Sequence, residues 1–186
     1  MPSDPPKSSK YHRFNDPGHA HEITFSCFKR QSFLKSSRAK SFLADSINLA
    51  RVTYQFDVWA WVFMPEHLHL LIYLKLETYS ISDIFKAMKQ SSARKMIAFL
   101  KKRNPDALKY LETGLDRPKY RFWQDGGGYD RNYWTPNLIR RQIEYIHNNP
   151  VRRALVKAPE DWEWSSARQW LHDIEGAIPI EKHIPL

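Results

Sequence analysis

One cysteine, Cys27, is the only thiol in this 186-residue chain. A single thiol excludes an intrachain disulfide framework and a cysteine zinc site, and makes a reducing cytosol the default compartment. Long apolar runs are also missing. None approaches the length of a membrane span, and the opening MPSDPPKSSKYHR has no apolar segment of the secretory kind. Acidic residues are in deficit, 20 against 29 Lys and Arg, for a formal charge of +9. That imbalance points to nucleic acid as partner before any motif is read. No internal repeat is visible. Hydrophobic residues, at 42%, and plentiful aromatics exclude a disordered chain. The length suits one domain with a real core.

Residues 1–10, rich in Pro, Ser and Lys, read as a flexible tail, with a single domain over 11–186 that ends in a helical extension. HAHEITFSCF predicts a first strand. SSRAKSFLADSINLARVTYQF has helical spacing, with Ser36 or Ser37 as N-cap. FDVWAWVFM is a buried strand, PE breaks it, and HLHLLIYLK resumes, which predicts an antiparallel hairpin. SISDIFKAMKQSSARKMIAFLKKRN is a second helix. KYRFWQDGGGYDRNYW joins a short strand to a glycine-rich loop. TPNLIRRQIEYIHNN is a third helix, capped by Thr135 with Pro136 in its first turn and ended by Pro150. APEDWEWSSARQWL reads as a C-terminal helical segment that seals the core with its tryptophans. The order β-α-β-β-α-β-α fits an α+β class: a ferredoxin-like split βαβ core, its antiparallel sheet carrying helices on one face and a face free for chemistry.

The hairpin's second strand carries two histidines. Successive strand residues point to opposite faces. Leu68, Leu70, Ile72 and Leu74 therefore share an apolar face, and His67 and His69 project together from the other. Parallel imidazoles suit chelation of one divalent ion, although two exposed histidines that bind nothing satisfy the same pattern. Two ligands are too few for a closed structural zinc site, so positions remain for an amide, water or substrate oxygens.

On the third helix Ile139, Ile143 and Ile146 form the buried side, and Tyr145 lies at its edge with Arg141, Gln142 and Asn149. A ring packed on the core with its hydroxyl in water accounts for Tyr145 without chemistry. His147 points away and reads as a surface or packing residue. Arg94 and Lys95 on the second helix, Arg121, Trp123 and Arg131 around the glycine-rich loop, and Arg140, Arg141, Arg152 and Arg153 beside the tyrosine are candidate DNA contacts. Cations interleaved with aromatics suit single strands, whose bases stack while their phosphates are neutralised. A solvated face accounts equally for part of this set.

WVFMPEHLHLLIYL, followed by FWQDGGGYDRNYW and EYIHNNPVRRALV, resembles the REP-associated tyrosine transposases. These are single-tyrosine members of the HUH single-strand transposase superfamily. The likeness runs from about Ile23 to Trp170. His67-Leu68-His69 matches the family's HUH element, and Tyr145-Ile146-His147-Asn148-Asn149-Pro150-Val151 matches its tyrosine run. The resemblance implies that His67 and His69 hold Mg²⁺ or Mn²⁺ on the sheet, with Asn149 completing the site unless Pro150 unwinds that turn. It implies that Tyr145 attacks single-stranded DNA to form a 5′-phosphotyrosine link. Tyr129 and Tyr133 lie outside the matching run. REP-type palindromic hairpins are the implied substrate. The implied setting is a monomer or homodimer at the cytoplasmic nucleoid, with no membrane partner. Two alternatives stay open: a catalytically silent, sequence-specific nucleic-acid-binding protein of the same fold, and a hydrolase that uses the histidines while Tyr145 is structural.

Overall fold

The four β-rich runs pair into one antiparallel sheet: β1 (Ala20–Ser26), β2 (Phe56–Phe63), β3 (His67–Leu74) and β4 (Tyr129–Tyr133), in the order β2-β3-β1-β4. The computed structural model describes residues 15–126 and 128–184, so the expected tail at 1–10 lies outside the described residues. The two outer strands flank the antiparallel pair β1–β3, which is the split βαβ arrangement expected from the order of elements. The β2–β3 hairpin forms as expected, with Phe63 opposite Leu68 and Met64 N–H donating to the His67 carbonyl at 2.8 Å.

Helices α1 (Ser37–Tyr54) and α2 (Ile81–Arg103) cover one face of the sheet. Ser36 is the N-cap of α1, its hydroxyl accepting from Ala39 N–H. Leu43, Ile47 and Ala50 of α1 and Ile84, Phe85 and Met88 of α2 pack on Ile23, Phe25, Leu68, Leu70, Ile72 and Leu74. The alternation read from β3 is thus the alternation observed. Helix α3 (Pro136–Arg152) does not join them. Its Ile139, Ile143 and Ile146 pack on Trp59, Val62 and Leu71 on the histidine face. The expectation of helices on one face holds for α1 and α2, and the other face is only half free. β2 is buried on both sides for this reason, which is why it reads as a continuous apolar run.

Two local expectations are corrected. Pro150 does not end α3, which continues to Arg152. Proline removes the N–H that would reach the Ile146 carbonyl. The Asn149 amide supplies a substitute, donating to the Tyr145 carbonyl at 2.9 Å and the Ile146 carbonyl at 3.5 Å. The helix closes one turn later, with Ala154 left-handed (φ 53°), Ala154 N–H donating to Val151 O and Leu155 N–H to Pro150 O. The C-terminal segment is α-helical only in α4 (Ala167–His172), with a single 3-10 turn at Pro159–Asp161. Before α4 the chain runs along the edge of β2. Ser165 bridges Val62, Phe63 N–H donates to Trp164 O, and the indoles of Trp162 and Trp170 donate to Phe63 O and Trp59 O. The tryptophans seal the core, as read, by covering an exposed strand edge. Among the described residues no helix is long and apolar enough to cross a membrane.

Candidate active site

His67 and His69 emerge from β3 onto the face that α3 crosses. Their Nε2 atoms face each other at 3.2 Å. What fixes them is on the other side of each ring. His67 Nδ1 lies 2.9 Å from a Glu66 carboxylate oxygen. His69 Nδ1 lies 3.1 Å from Glu22 Oε1 and 2.9 Å from Thr24 Oγ1. A carboxylate only accepts, so both Nδ1 atoms carry a proton, and in the neutral rings both Nε2 atoms present lone pairs. Two lone pairs at this separation repel unless a cation lies between them. Burial, reinforced by the neighbouring His69, lowers His67 to about 4 against the opposing pull of Glu66, so the ring is neutral at neutral pH.

Each carboxylate is itself held. Arg153 bonds Glu66. Burial alone would raise the Glu66 carboxyl, but the Arg153 hydrogen bond, the charge that His67 takes up in the acid range where Glu66 titrates, and the charge of Arg153 outweigh it and hold Glu66 below its ordinary range. Glu22 is buried at 5% exposure, and its second oxygen lies 3.0 Å from the Tyr133 hydroxyl. That hydroxyl has one proton, which goes to the carboxylate. Its oxygen also lies 2.9 Å from Gln142 Oε1, and since one proton cannot serve both acceptors, the amide turned over, with its otherwise unpartnered Nε2 donating to the hydroxyl oxygen, satisfies both groups. A chain of contacts thus runs from α3 through β4 and β1 to His69.

Tyr145 stands over this pair. Its ring meets His69 edge-on with centroids 5.9 Å apart, it is 39% exposed, and the Arg152 guanidinium lies 4.8 Å from its ring centroid. Tyr133 is a different kind of tyrosine. It is buried, and burial together with Glu22 pushes its hydroxyl well above the usual range, which makes it a poor nucleophile. His147 is a packing residue, its Nε2 2.8 Å from Ser166 Oγ, and burial lowers it to about 4.

The donor set fits a divalent ion. An octahedron with bonds of about 2.1 Å has edges near 3.0 Å, close to the observed Nε2 separation. Among the described residues no group of three or more His, Cys, Asp or Glu could hold a metal. Further positions would fall to neutral oxygens. Asn149 is buried on the turn after Tyr145 with its Nδ2 used on the helix, so Oδ1 is its one atom with lone pairs to offer.

The candidate DNA contacts do not form one surface. Arg152 and Arg153 belong to the site, and Arg131 is exposed on β4 on the histidine side. Arg141 is exposed on α3, while Arg140 lines a cavity of about 530 Å³ with Trp170 and Lys182. Arg94 and Lys95 lie on α2, across the sheet from the histidines, with Lys95 3.5 Å from Asp45. Arg121 pairs with Asp125 at 3.0 Å. Trp123, expected to stack on bases, is a core residue at 4% exposure. Its ring packs against Phe25 and Phe122 and its indole donates to Ser92 Oγ. Glu22, Glu66 and Gln142 were not foreseen as site residues. The one sequence signal for Glu22 is a charged residue inside an otherwise β-forming run.

A split βαβ sheet with a histidine pair on an inner strand, and a tyrosine helix laid across it, has the layout of the HUH single-strand transposase class. The chain belongs to the IS200-like transposase family, whose sequence profile matches residues 18–149. It is 29% identical over 142 residues to a protein assigned as a REP-associated tyrosine transposase in Haemophilus influenzae, covering 69% of this chain and 73% of that one. It is 25% identical over 175 residues to the REP-associated tyrosine transposase of Escherichia coli K12, covering 93% and 90%. The solved structure of a REP-associated tyrosine transposase bound to a REP hairpin superposes with a TM-score of 0.69 at 21% identity, covering 93% of this chain and 92% of that one. The α+β fold and the resemblance read from the motifs are both borne out.

Proposed function

We propose that residues 11–186 act as one metal-dependent single-stranded DNA endonuclease and strand transferase that forms a 5′-phosphotyrosine intermediate on REP-type palindromic hairpins. The observation that carries this reading is the convergence of two bare Nε2 atoms, 3.2 Å apart and backed by carboxylates, beneath the Tyr145 ring. His67 and His69, with Asn149, would hold Mg²⁺ or Mn²⁺. When bound, such an ion supplies a Lewis acid to a phosphate oxygen. Tyr145 gives up its phenolic proton, its oxygen bonds to phosphorus, and the P–O3′ bond breaks. The departing O3′ takes up a proton and becomes a free 3′-OH. Arg152, over the Tyr145 ring, offsets the negative charge gathering at the phenolic oxygen. The phosphodiester energy stays in the tyrosine link, so reversal rejoins a strand without ATP.

The relatives named for REP elements, one solved with a REP hairpin, support the choice of substrate. The reading places the protein at the cytoplasmic nucleoid as a monomer or homodimer. Denaturing electrophoresis of protein incubated with labelled hairpin DNA and Mn²⁺ tests it: a covalent adduct is expected. Tight hairpin binding with neither adduct nor cleavage would instead favour a silent binding protein of the same fold. Cleavage without adduct would favour hydrolysis.

A further inference from the structure

Thr24 of β1 pairs with His69 of β3 on one side and with Tyr129 of β4 on the other. Residues directly opposite on neighbouring strands share a face. His69, Thr24 and Tyr129 therefore form a row across the sheet, with Tyr129 about 10 Å from His69 at roughly 4.8 Å per strand. Arg131, two residues along β4 and opposite Glu22, projects from the same face. Helix α3 packs mainly on β2 and β3 and meets β4 at Tyr133 through Gln142, while the Tyr129 end of β4 stays exposed. Tyr129 is 44% exposed, and Arg131 is exposed too. The Arg131 guanidinium lies 5.4 Å from the Tyr133 ring centroid, and the neighbouring Tyr133 and Tyr129 side chains favour its charged form, so the cation stands beside the exposed Tyr129 ring, two residues along the same face of β4. An aromatic face beside a cation is suited to an unpaired nucleotide, whose base stacks while its phosphate meets the guanidinium.

The direction of the strand follows from the chemistry. Attacking and leaving oxygens lie roughly in line in phosphoryl transfer. Tyr145 approaches from α3, over β2 and β3, and β4 lies beyond the histidine pair on the far side. The leaving O3′ and its nucleotide are therefore directed toward β4.

We propose that Tyr129 and Arg131 form a subsite for the single-stranded nucleotide on the 5′ side of the cleaved phosphodiester, the one that departs with the free 3′-OH. Its base stacks on Tyr129 and its phosphate meets Arg131. This subsite rests on the reading that Tyr145 and the histidine pair meet the scissile phosphate.

The test uses the full-length Tyr145→Phe protein without metal, so that binding is measured apart from cleavage. The probes are REP-type hairpins with single-stranded flanks, each carrying one 2-aminopurine at a different flank position. Cleavage is mapped separately from the wild-type adduct. Binding should quench the probe at one flank position, the nucleotide 5′ of the mapped phosphate. Adding Tyr129→Ala should abolish that quench and weaken binding roughly tenfold, whereas Tyr129→Phe should preserve both. Arg131→Gln should lower the log–log salt slope by about 0.7, one single-strand phosphate contact. Quenching that survives Tyr129→Ala, quenching at no flank position, or quenching confined to the 3′ side would overturn the proposal. A missing wild-type adduct strikes the catalytic reading and with it the 5′ assignment, whereas a quench at one flank position that Tyr129→Ala abolishes still supports the nucleotide subsite itself.

Discussion

The guanidinium of Arg152 lies 4.8 Å from the centroid of the Tyr145 ring, two turns further along the same face of α3. The ring is clamped between this cation and the edge of His69, so its position depends on the ring and not on the hydroxyl. Tyr145→Phe should therefore leave stability within about 0.5 kcal/mol of wild type, as for a partly exposed substitution. It should abolish both adduct and strand cleavage while hairpin affinity is kept. Thermal melts with gel assays check both halves. An adduct formed by the variant would move the nucleophile elsewhere, with Tyr129 the first to examine.

His67→Ala and His69→Ala should each fold, since neither ring belongs to the apolar clusters. Each leaves one imidazole, too few to localise a divalent ion, and cleavage should be lost. Calorimetric titration with Mn²⁺ should show binding in wild type only. Wild-type cleavage by either variant at millimolar-scale metal rules out the metal site.

Glu22→Gln keeps the size of the side chain and removes the charge that fixes the His69 tautomer. Manganese affinity should fall about 10- to 100-fold, the usual cost of losing such a support. Titration by electron paramagnetic resonance measures it directly, and unchanged affinity would show that Thr24 alone orients the ring.

Acid should destabilise the fold, and His147 gives the sign. Burial lowers it to about 4 from an ordinary 6.5. Between these values the unfolded chain takes up a proton that the folded chain does not. Its contribution is therefore full above about 6.5 and is lost as pH falls toward 4. Denaturant midpoints should drop through this window, and His147→Gln should flatten the drop. A midpoint that rises on acidification contradicts the burial argument.

Gly128 has φ +70°, and a Cβ there would lie 2.5 Å from the Thr24 carbonyl oxygen. Gly128→Ala should cost at least about 1–2 kcal/mol from the left-handed backbone alone. The clash adds to this and displaces β1 at the residue that touches His69. Urea melts and Mn²⁺ affinity should both worsen, and a neutral variant would mean that β1 yields freely at this point.

Local rules carried the sequence a long way. The period of two along His67–Leu74 depends only on strand geometry, so it separated the histidines from Leu68, Leu70 and Leu74 before any partner was known. The Ser36 and Thr135 caps were legible for the same reason, since a cap is satisfied within three residues. Tyr145 was legible through its motif. Pro150 misled because the rule that proline ends a helix ignores a neighbouring Asn149 able to occupy the freed carbonyl.

The supports of the site were not written locally. Glu22 is 47 residues from His69 and 111 from Tyr133, and only the register of β1 between β3 and β4 brings the three together. Composition gave a basic chain. The packing of α2 and α3 on opposite faces of the sheet decided which cations stand near the histidines, because a helix commits its apolar side first and its charges go wherever the remaining side points. The sequence by itself determined the chemistry available, two imidazoles and a phenol. The tertiary structure decided the tautomer and alignment of the imidazoles, because both depend on carboxylates that sheet pairing and the hairpin turn bring beside them, and it set the phenol between His69 and Arg152.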